Sequence, residues 1–245
     1  MTVFPDNNSG SGKKEQVTLM FDQISSRYDL LNHLLSLNID KLWRKRAVKY
    51  LQGFRPHTIL DVATGTGDFA LAAASIKPQK ITGIDLSEEM LKIGNRKIAK
   101  KGLSSLISLM KGDSEALPFP DNSFDAAIVA FGVRNFENPD KSMKEILRVI
   151  NPGGVFIVLE FSKPAATPFK QLYNFYFSTI LPFTGRIISG DENAYSYLHD
   201  SVNDFPYGDN FISILKSAGY ENCHHFPQTM GIAAIYISQK PKIGK

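Results

Sequence analysis

The sequence predicts an α/β domain built on a mostly parallel sheet with helices on both faces. Three observations carry this. From Thr58 onward, apolar runs alternate with stretches of helical periodicity. The runs are continuous rather than alternating, TILDVA and VFIVLEFS among them, as strands buried on both faces require. A glycine turn, Thr64-Gly65-Thr66-Gly67, follows the first run directly. The composition permits such a core, since 43% of the 245 residues are hydrophobic and 21% are charged. It also excludes several classes. No apolar run reaches the roughly 18–20 residues that span a bilayer. A single cysteine, Cys223, rules out an internal disulfide framework and a cysteine-based zinc cluster. A net charge of +4 is too small to indicate a nucleic-acid partner by itself.

In chain order, residues 1–15 read as a polar, Gly/Ser-rich, disordered tail with no secretion or transit signal. Residues 16–53 read as helical, with Val17, Phe21, Ile24, Tyr28, Leu31 and Leu35 at helical spacing and a basic stretch from Lys41 to Lys49. Strands are expected at 58–63, 80–86, 107–113, 123–131 and 155–162. Helices are expected between them, at 69–75, 87–102 and 140–148. Ser87, followed by Glu88 and Glu89, supplies a cap and two acids at one helix start. Asn151-Pro152-Gly153-Gly154 reads as a turn before the fifth strand. Residues 163–211 break the rhythm and read as an inserted, aromatic-rich helical cap. A helix at 209–219 and strands at 220–226 and 231–238 close what reads as one domain over 16–245.

The first chemistry lies at the glycine turn, where the backbone can approach a ligand closely. Asp61 precedes it, and Asp85 closes the second strand 24 residues later, a place from which an acid takes ribose hydroxyls. Asp113 ends the third strand, followed by Ser114, and suits an adenine amino group. The candidate nucleotide residues are Asp61, Gly65, Thr66, Gly67, Asp85, Asp113 and Ser114, all toward the carboxyl edge of the sheet. NAD and S-adenosylmethionine compete for this site. The dinucleotide fingerprint is incomplete, its third position falling on Ala70. Asp61 and Asp68 would repel a pyrophosphate, and they suit a sulfonium amino acid with its ammonium group.

LDVATGTGD, GIDLSEEML, GDSEALPFPDNSFD and the Asn-Pro-Gly-Gly turn resemble the class I S-adenosylmethionine-dependent methyltransferase fold. The resemblance implies a Rossmann-like sheet of about seven strands with an antiparallel last strand, and S-adenosylmethionine as methyl donor. YDLLNHLLSLNIDKLW from Tyr28, AFGVRNFENPDK from Ala130, RVINPGGVFIVLEFSKP from Arg148 and the late MGIAAIYISQKP are similar to the ubiquinone/menaquinone biosynthesis C-methyltransferase family. With the Tyr195-Ser-Tyr-Leu run, these stretches extend over nearly the whole chain from about Val17. Asp40, Ala63, Ala130 and Asn151 stand where that family more often has His, Gly, Ser and a basic residue.

The family resemblance implies methylation of a ring carbon on a prenylated quinol, either demethylmenaquinol to menaquinol or a benzoquinol precursor of ubiquinone. Such a carbon becomes nucleophilic when its hydroxyl ionises. At a tyrosine-like pKa of about 10, ionisation at pH 7 costs roughly 4 kcal/mol, so a cation or base must assist and no metal is required. Arg134, just past the fourth strand, is the candidate cation, Asn135 the candidate for orienting the ring oxygen, and His33 the candidate base. Tyr28, Asp29, Tyr195 and His199 are further candidates. The bland alternative for Arg134 is an ion pair with Glu137 or Asp140. Phe169, Tyr173, Phe175, Tyr176, Phe177 and Phe183 suit a greasy acceptor. A long prenyl tail stays in the bilayer, at about 0.8 kcal/mol per buried CH2. The expected partners are therefore the quinol and a transient membrane surface met by Lys41–Lys49, with a homodimer as one arrangement and no nucleic acid. The expected location is cytoplasmic, peripheral at the inner face of the membrane. Competing readings are a methyltransferase of another small phenol or lipid, an RNA methyltransferase of the same fold and a non-enzymatic scaffold that binds S-adenosylmethionine.

Overall fold

The computed structural model describes residues 3–6, 9–36, 38–164, 167, 171 and 192–242. Among them, seven strands form one sheet: β1 (Thr58–Val62), β2 (Lys80–Asp85), β3 (Ile107–Lys111), β4 (Phe124–Ala130), β5 (Ile150–Phe161), β6 (Glu221–Gln228) and β7 (Ala233–Gln239). Their order across the sheet is β3-β2-β1-β4-β5-β7-β6. β7 runs antiparallel to both its neighbours and the other pairings are parallel, as expected. The described α-helices are α1 (Lys13–Leu35), α2 (Ile39–Gln52), α3 (Asp68–Ala73), α4 (Glu88–Lys100), α5 (Pro139–Val149), α6 (Glu192–Asp204) and α7 (Asp209–Ser217).

Successive strand residues point to opposite faces, and both faces are buried. Ile59, Ile128 and Ile157 pack with Trp43, Leu51, Phe69 and Ile98 from α2, α3 and α4. Leu60, Val129 and Phe156 pack on the other side with Met143 and Ile146 of α5 and Phe211 and Leu215 of α7. This double burial is why the strands read as unbroken apolar runs. The strand order reverses between β1 and β4, and at that switch point the loops after the strands part to leave a crevice.

Three boundaries differ from the sequence reading. Helix α1 begins at Lys13, inside the stretch expected to be a mobile tail. The helical run expected over 16–53 breaks ahead of α2, where Asn38 takes φ 61°, a left-handed conformation that Asn tolerates. The Asn-Pro-Gly-Gly segment lies within β5 as an irregularity between the Phe124 and Ala126 pairings, rather than before the strand. Asn151 there donates to Asp125 Oδ1 at 2.8 Å, and Asp125 also accepts from the backbone of Thr58 at the start of β1. The aromatic run from Phe169 to Phe183 lies outside the described residues.

One close approach fixes the glycine turn against its supporting helix. A Cβ on Gly94 of α4 would lie 3.1 Å from the backbone carbonyl carbon and oxygen of Thr66, and 2.5 Å from Leu109. Leu109 can rotate away, but the Thr66 backbone cannot. Gly94→Ala should therefore destabilise the protein by about 1–3 kcal/mol through overpacking, outweighing a helix-propensity gain of at most about 1 kcal/mol. Urea unfolding should show a lowered midpoint with an unchanged slope.

Candidate functional site

The crevice holds about 740 Å³ of unfilled space, open mouth included. Gly65 follows β1, Asp85 and Ser87 follow β2, Asp113 and Ser114 follow β3, and Phe131, Asn135 and Phe136 follow β4; all line it. Helix α1 lies across the opening and contributes Lys14, Val17, Phe21 and Tyr28.

Gly65 and Gly67 both take positive φ, 54° and 80°, so the turn needs their lack of Cβ. The Gly65 N–H donates to Asp85 Oδ2 at 2.7 Å, and Ser87 N–H donates to Asp85 Oδ1 at 2.9 Å. Burial still pushes the Asp85 carboxyl above the usual range, against those hydrogen bonds. Ser87 caps α4 as expected, accepting from Met90 N–H at 3.1 Å. Asp61 is sealed behind the turn. Its Oδ2 accepts from Thr64 Oγ1 at 2.6 Å and Ala70 N–H at 3.0 Å, while its Oδ1 is buried without a hydrogen-bond partner. Burial raises this carboxyl to about 7, although the Thr64 and Ala70 hydrogen bonds oppose the rise. An orphaned, desolvated carboxylate oxygen beside a glycine turn fits a ligand carrying a cation.

Of the candidate nucleotide residues, Gly65, Asp85, Asp113 and Ser114 face the crevice. Thr66 is buried and donates to Asp29 Oδ1 at 2.5 Å, and Gly67 opens α3. Asp113, expected to meet an adenine, receives the Lys14 ammonium at 2.7 Å, and Lys14 also pairs with Glu115 at 3.3 Å. Burial lowers the Lys14 pKa, but these carboxylates outweigh it and the net shift is upward. Farther along α1, Asp22 Oδ1 accepts from Ser87 Oγ at 2.5 Å, and Asp29 Oδ2 accepts from Lys97 Nζ at 2.7 Å. The helix is thus tied to the loops after β1, β2 and β3 by charged contacts. Its own apolar cluster is small: Val17 and Met20 with Tyr197 of α6.

The acceptor candidates fare unequally. Asn135 lines the crevice and accepts from Tyr197 OH at 3.1 Å. Tyr28 lines it too, edge-on to Phe21 at 5.7 Å. His33 lies on α1, and its side chain, like that of Tyr195, falls outside the described residues. His199 pairs with Asp200 at the surface.

Arg134 corrects the sequence reading. Its guanidinium is 6% exposed and pairs with fully buried Glu160 at 2.8 Å, rather than with Glu137 or Asp140 or facing the crevice. Nη1 also donates to Phe131 O at 2.5 Å, the head group sits over the Phe161 ring at 5.3 Å, and Nε has no partner. The Arg134 carbonyl accepts from the buried Lys13 ammonium at 3.1 Å, whose pKa burial lowers. A second guanidinium, Arg44, is buried against Asp40 and lies 5.4 Å from the Phe131 ring centre. Glu160 was the overlooked residue. A lone acid in an apolar strand run is its only sequence signal, since such a charge needs a buried partner.

A carboxylate-rich glycine turn at a strand-order switch, beside an apolar wall on the same crevice, defines a nucleoside-dependent α/β transferase site. Solved structures of this fold include the cyclase SpnF (TM-score 0.64, 21% identity, 95% of this chain and 98% of that one). Another is a Thermotoga maritima protein described as a S-adenosylmethionine-dependent methyltransferase, possible histamine N-methyltransferase (TM-score 0.62, 18% identity, 91% and 99%). A cyclase among them shows that the fold alone does not set the chemistry. Residues 9–240 match the ubiE/COQ5 methyltransferase family, and the chain belongs to it. It is 44% identical over 239 residues to the demethylmenaquinone methyltransferase of Bacteroides fragilis, covering 97% of each. It is equally 44% identical over 230 residues to the ubiquinone/menaquinone biosynthesis C-methyltransferase UbiE of Geotalea daltonii, covering 93% of this chain and 97% of that one.

Removing one charge of the Arg134–Glu160 pair strands the other in the core. Glu160→Gln should lower stability by about 3–5 kcal/mol, read as a fall in the urea midpoint.

Proposed function

We propose that this methyltransferase transfers the methyl group of S-adenosylmethionine to a ring carbon of a reduced, prenylated naphthoquinone, converting demethylmenaquinol to menaquinol. The observation that carries the reading is a single crevice with two unlike kinds of lining. It presents the carboxylates of Asp85 and Asp113 together with the rings of Phe21, Tyr28, Phe131 and Phe136. The match to the Bacteroides fragilis enzyme, covering 97% of both chains, supports this acceptor. The Geotalea daltonii relative's name supports a benzoquinol as the second reading.

When bound, S-adenosylmethionine supplies an electrophilic methyl on a sulfonium. The residues present fit it: Asp85 for its ribose part and the Gly65 turn for close backbone approach, with Asp61, sealed behind that turn, acting on its cationic part by charge and not by contact. Asp113 serves the adenine once Lys14 yields.

On the acceptor side, the chain's task is to favour the ionised quinol. Arg134 acts there as a positioning residue, not by direct contact. Its pair with Glu160 holds the turn that aims Asn135 at the crevice. Arg44 and Arg134 lie over Phe131 and Phe161, whose rings are 4.6 Å apart, so the guanidinium ends of two buried ion pairs, with Asp40 and Glu160, back the apolar wall. The positive ends of those two dipoles favour an oxyanion on the wall, less strongly than unpaired cations would. The same charges pull on the Tyr28 phenol, but burial dominates and its pKa stays raised, so Tyr28 remains protonated as a hydrogen-bond donor.

Two measurements test this. Label from S-adenosylmethionine should enter a demethylmenaquinone in detergent micelles only when dithionite is present. Equal incorporation into quinone and quinol would overturn the quinolate route. The second concerns Asp61. A cationic ligand in the crevice favours its ionised form, and burial pushes the free carboxyl up to about 7. Affinity for S-adenosylhomocysteine, which keeps the ammonium, should therefore fall by up to about tenfold per pH unit below 7 and level off above it. Calorimetry on Asp61→Asn should show weaker binding with that pH dependence gone.

A further inference from the structure

The outer face of α2 and the turn between β6 and β7 form one surface that the methyl-transfer site does not use. Lys41, Lys45, Arg46 and Lys49 are exposed along the helix. The only acid in α2, Asp40, is buried on Arg44, and no described acidic side chain pairs with any of those four cations. Lys41 and Arg46 donate to the neutral oxygens of Asn38 and Gln228, at 2.8 and 2.9 Å, so among the described residues no carboxylate compensates the charge.

Beside these cations the structure displays apolar side chains. Leu42 is 46% exposed and Met230 is 65% exposed. Met230 stands in an unusual turn, where Thr229 and Met230 both take left-handed φ, 43° and 56°, ahead of Gly231. Non-glycine residues adopt that conformation at a cost and keep it only where their surroundings impose it. Here α2 imposes it: Trp43 Nε1 donates to Thr229 Oγ1 at 2.8 Å, and Tyr50 stacks on Phe226 at 4.8 Å.

The surface lies on the crevice side of the molecule. β7 pairs antiparallel with β5, Ala233 opposite Phe161, which puts the preceding turn at the carboxyl edge of the sheet. Trp43 packs on Phe131, which lines the crevice.

We propose that α2 and the β6–β7 turn dock the enzyme on a bilayer carrying anionic phospholipids, with the cations on the head groups and Leu42 and Met230 in the interface. Uncompensated cations interleaved with exposed aliphatic side chains match that boundary. A single-stranded nucleic acid would stack on exposed aromatic platforms. The most exposed apolar side chains here, Leu42 and Met230, have no ring face, while the partly exposed Tyr50 is stacked on Phe226 and the exposed Phe54 lies beyond the end of α2. The inference rests in part on the quinol reading, because a long-tailed acceptor stays in the membrane and the crevice must be brought to it.

Flotation with phosphatidylcholine vesicles, with and without phosphatidylglycerol, tests the surface apart from the chemistry. The protein should float with the anionic vesicles and not with the neutral ones. Lys45→Gln and Lys49→Gln should each weaken partition about fivefold, and the pair about 25-fold. Met230→Asn, which tolerates the left-handed turn, should weaken it without changing its salt dependence. Turnover of a short-tailed, micelle-soluble demethylmenaquinol should be unchanged in these variants, while turnover of a long-tailed one in vesicles falls with binding. Equal partition of variants and wild type, or binding to an RNA oligomer in place of vesicles, would overturn the proposal. Charge-dependent flotation without methylation of either quinol would uphold the surface and defeat the acceptor reading instead.

Discussion

Glu160, one residue from the end of β5, has no exposed surface, and a charge there can persist only beside another. Arg134 answers it from the turn after β4, and the rest of the acceptor half follows from that pairing. With the guanidinium fixed between Glu160 and Phe161, the Arg134 carbonyl is placed to hold Lys13 at the head of α1. The next residue, Asn135, is turned to the crevice and joined to Tyr197 of α6. Three separate stretches of chain, the head of α1, the turn after β4 and α6, meet around one ion pair.

The donor half is governed by an excess of carboxylates. Asp22, Asp29, Asp61, Asp85, Asp113 and Glu115 gather around the strand ends, with Lys14 and Lys97 set among them. Such a region attracts a cation and disfavours phosphate. That is the electrostatic difference between this crevice and a dinucleotide site, though the sheet beneath both has the same plan.

The sheet was legible because its strands are buried on both faces. TILDVA and AAIVAF cannot be read as amphipathic helices, and the acids that end the first three strands stand out against their apolar lengths. The glycine turn and Ser87 cap were legible as local backbone chemistry. What escaped was tertiary. Arg134 read as a free cation because its partner lies 26 residues away, at the end of what looked like a core strand. Lys13 and Lys14 read as tail because a Gly/Ser-rich neighbourhood carries no hint of carboxylates near position 113 that order it. The break before α2 escaped because Asn38 interrupts an apolar spacing that continues on both sides of it.

The tethers of α1 also set an order of assembly. Lys13 finds its carbonyl 121 residues farther along the chain, and Lys14 its carboxylate 99 residues on. On the ribosome this helix is made before the sheet, and the partners of Lys13 and Lys14 emerge after those of Asp22 and Asp29. Contacts that close such long loops form late and slowly. The helix that lies across the crevice is therefore made before the sheet and anchored in stages. A nascent chain held short of β4 could already form the Lys14, Asp22 and Asp29 contacts but would lack the anchor that Arg134 gives Lys13.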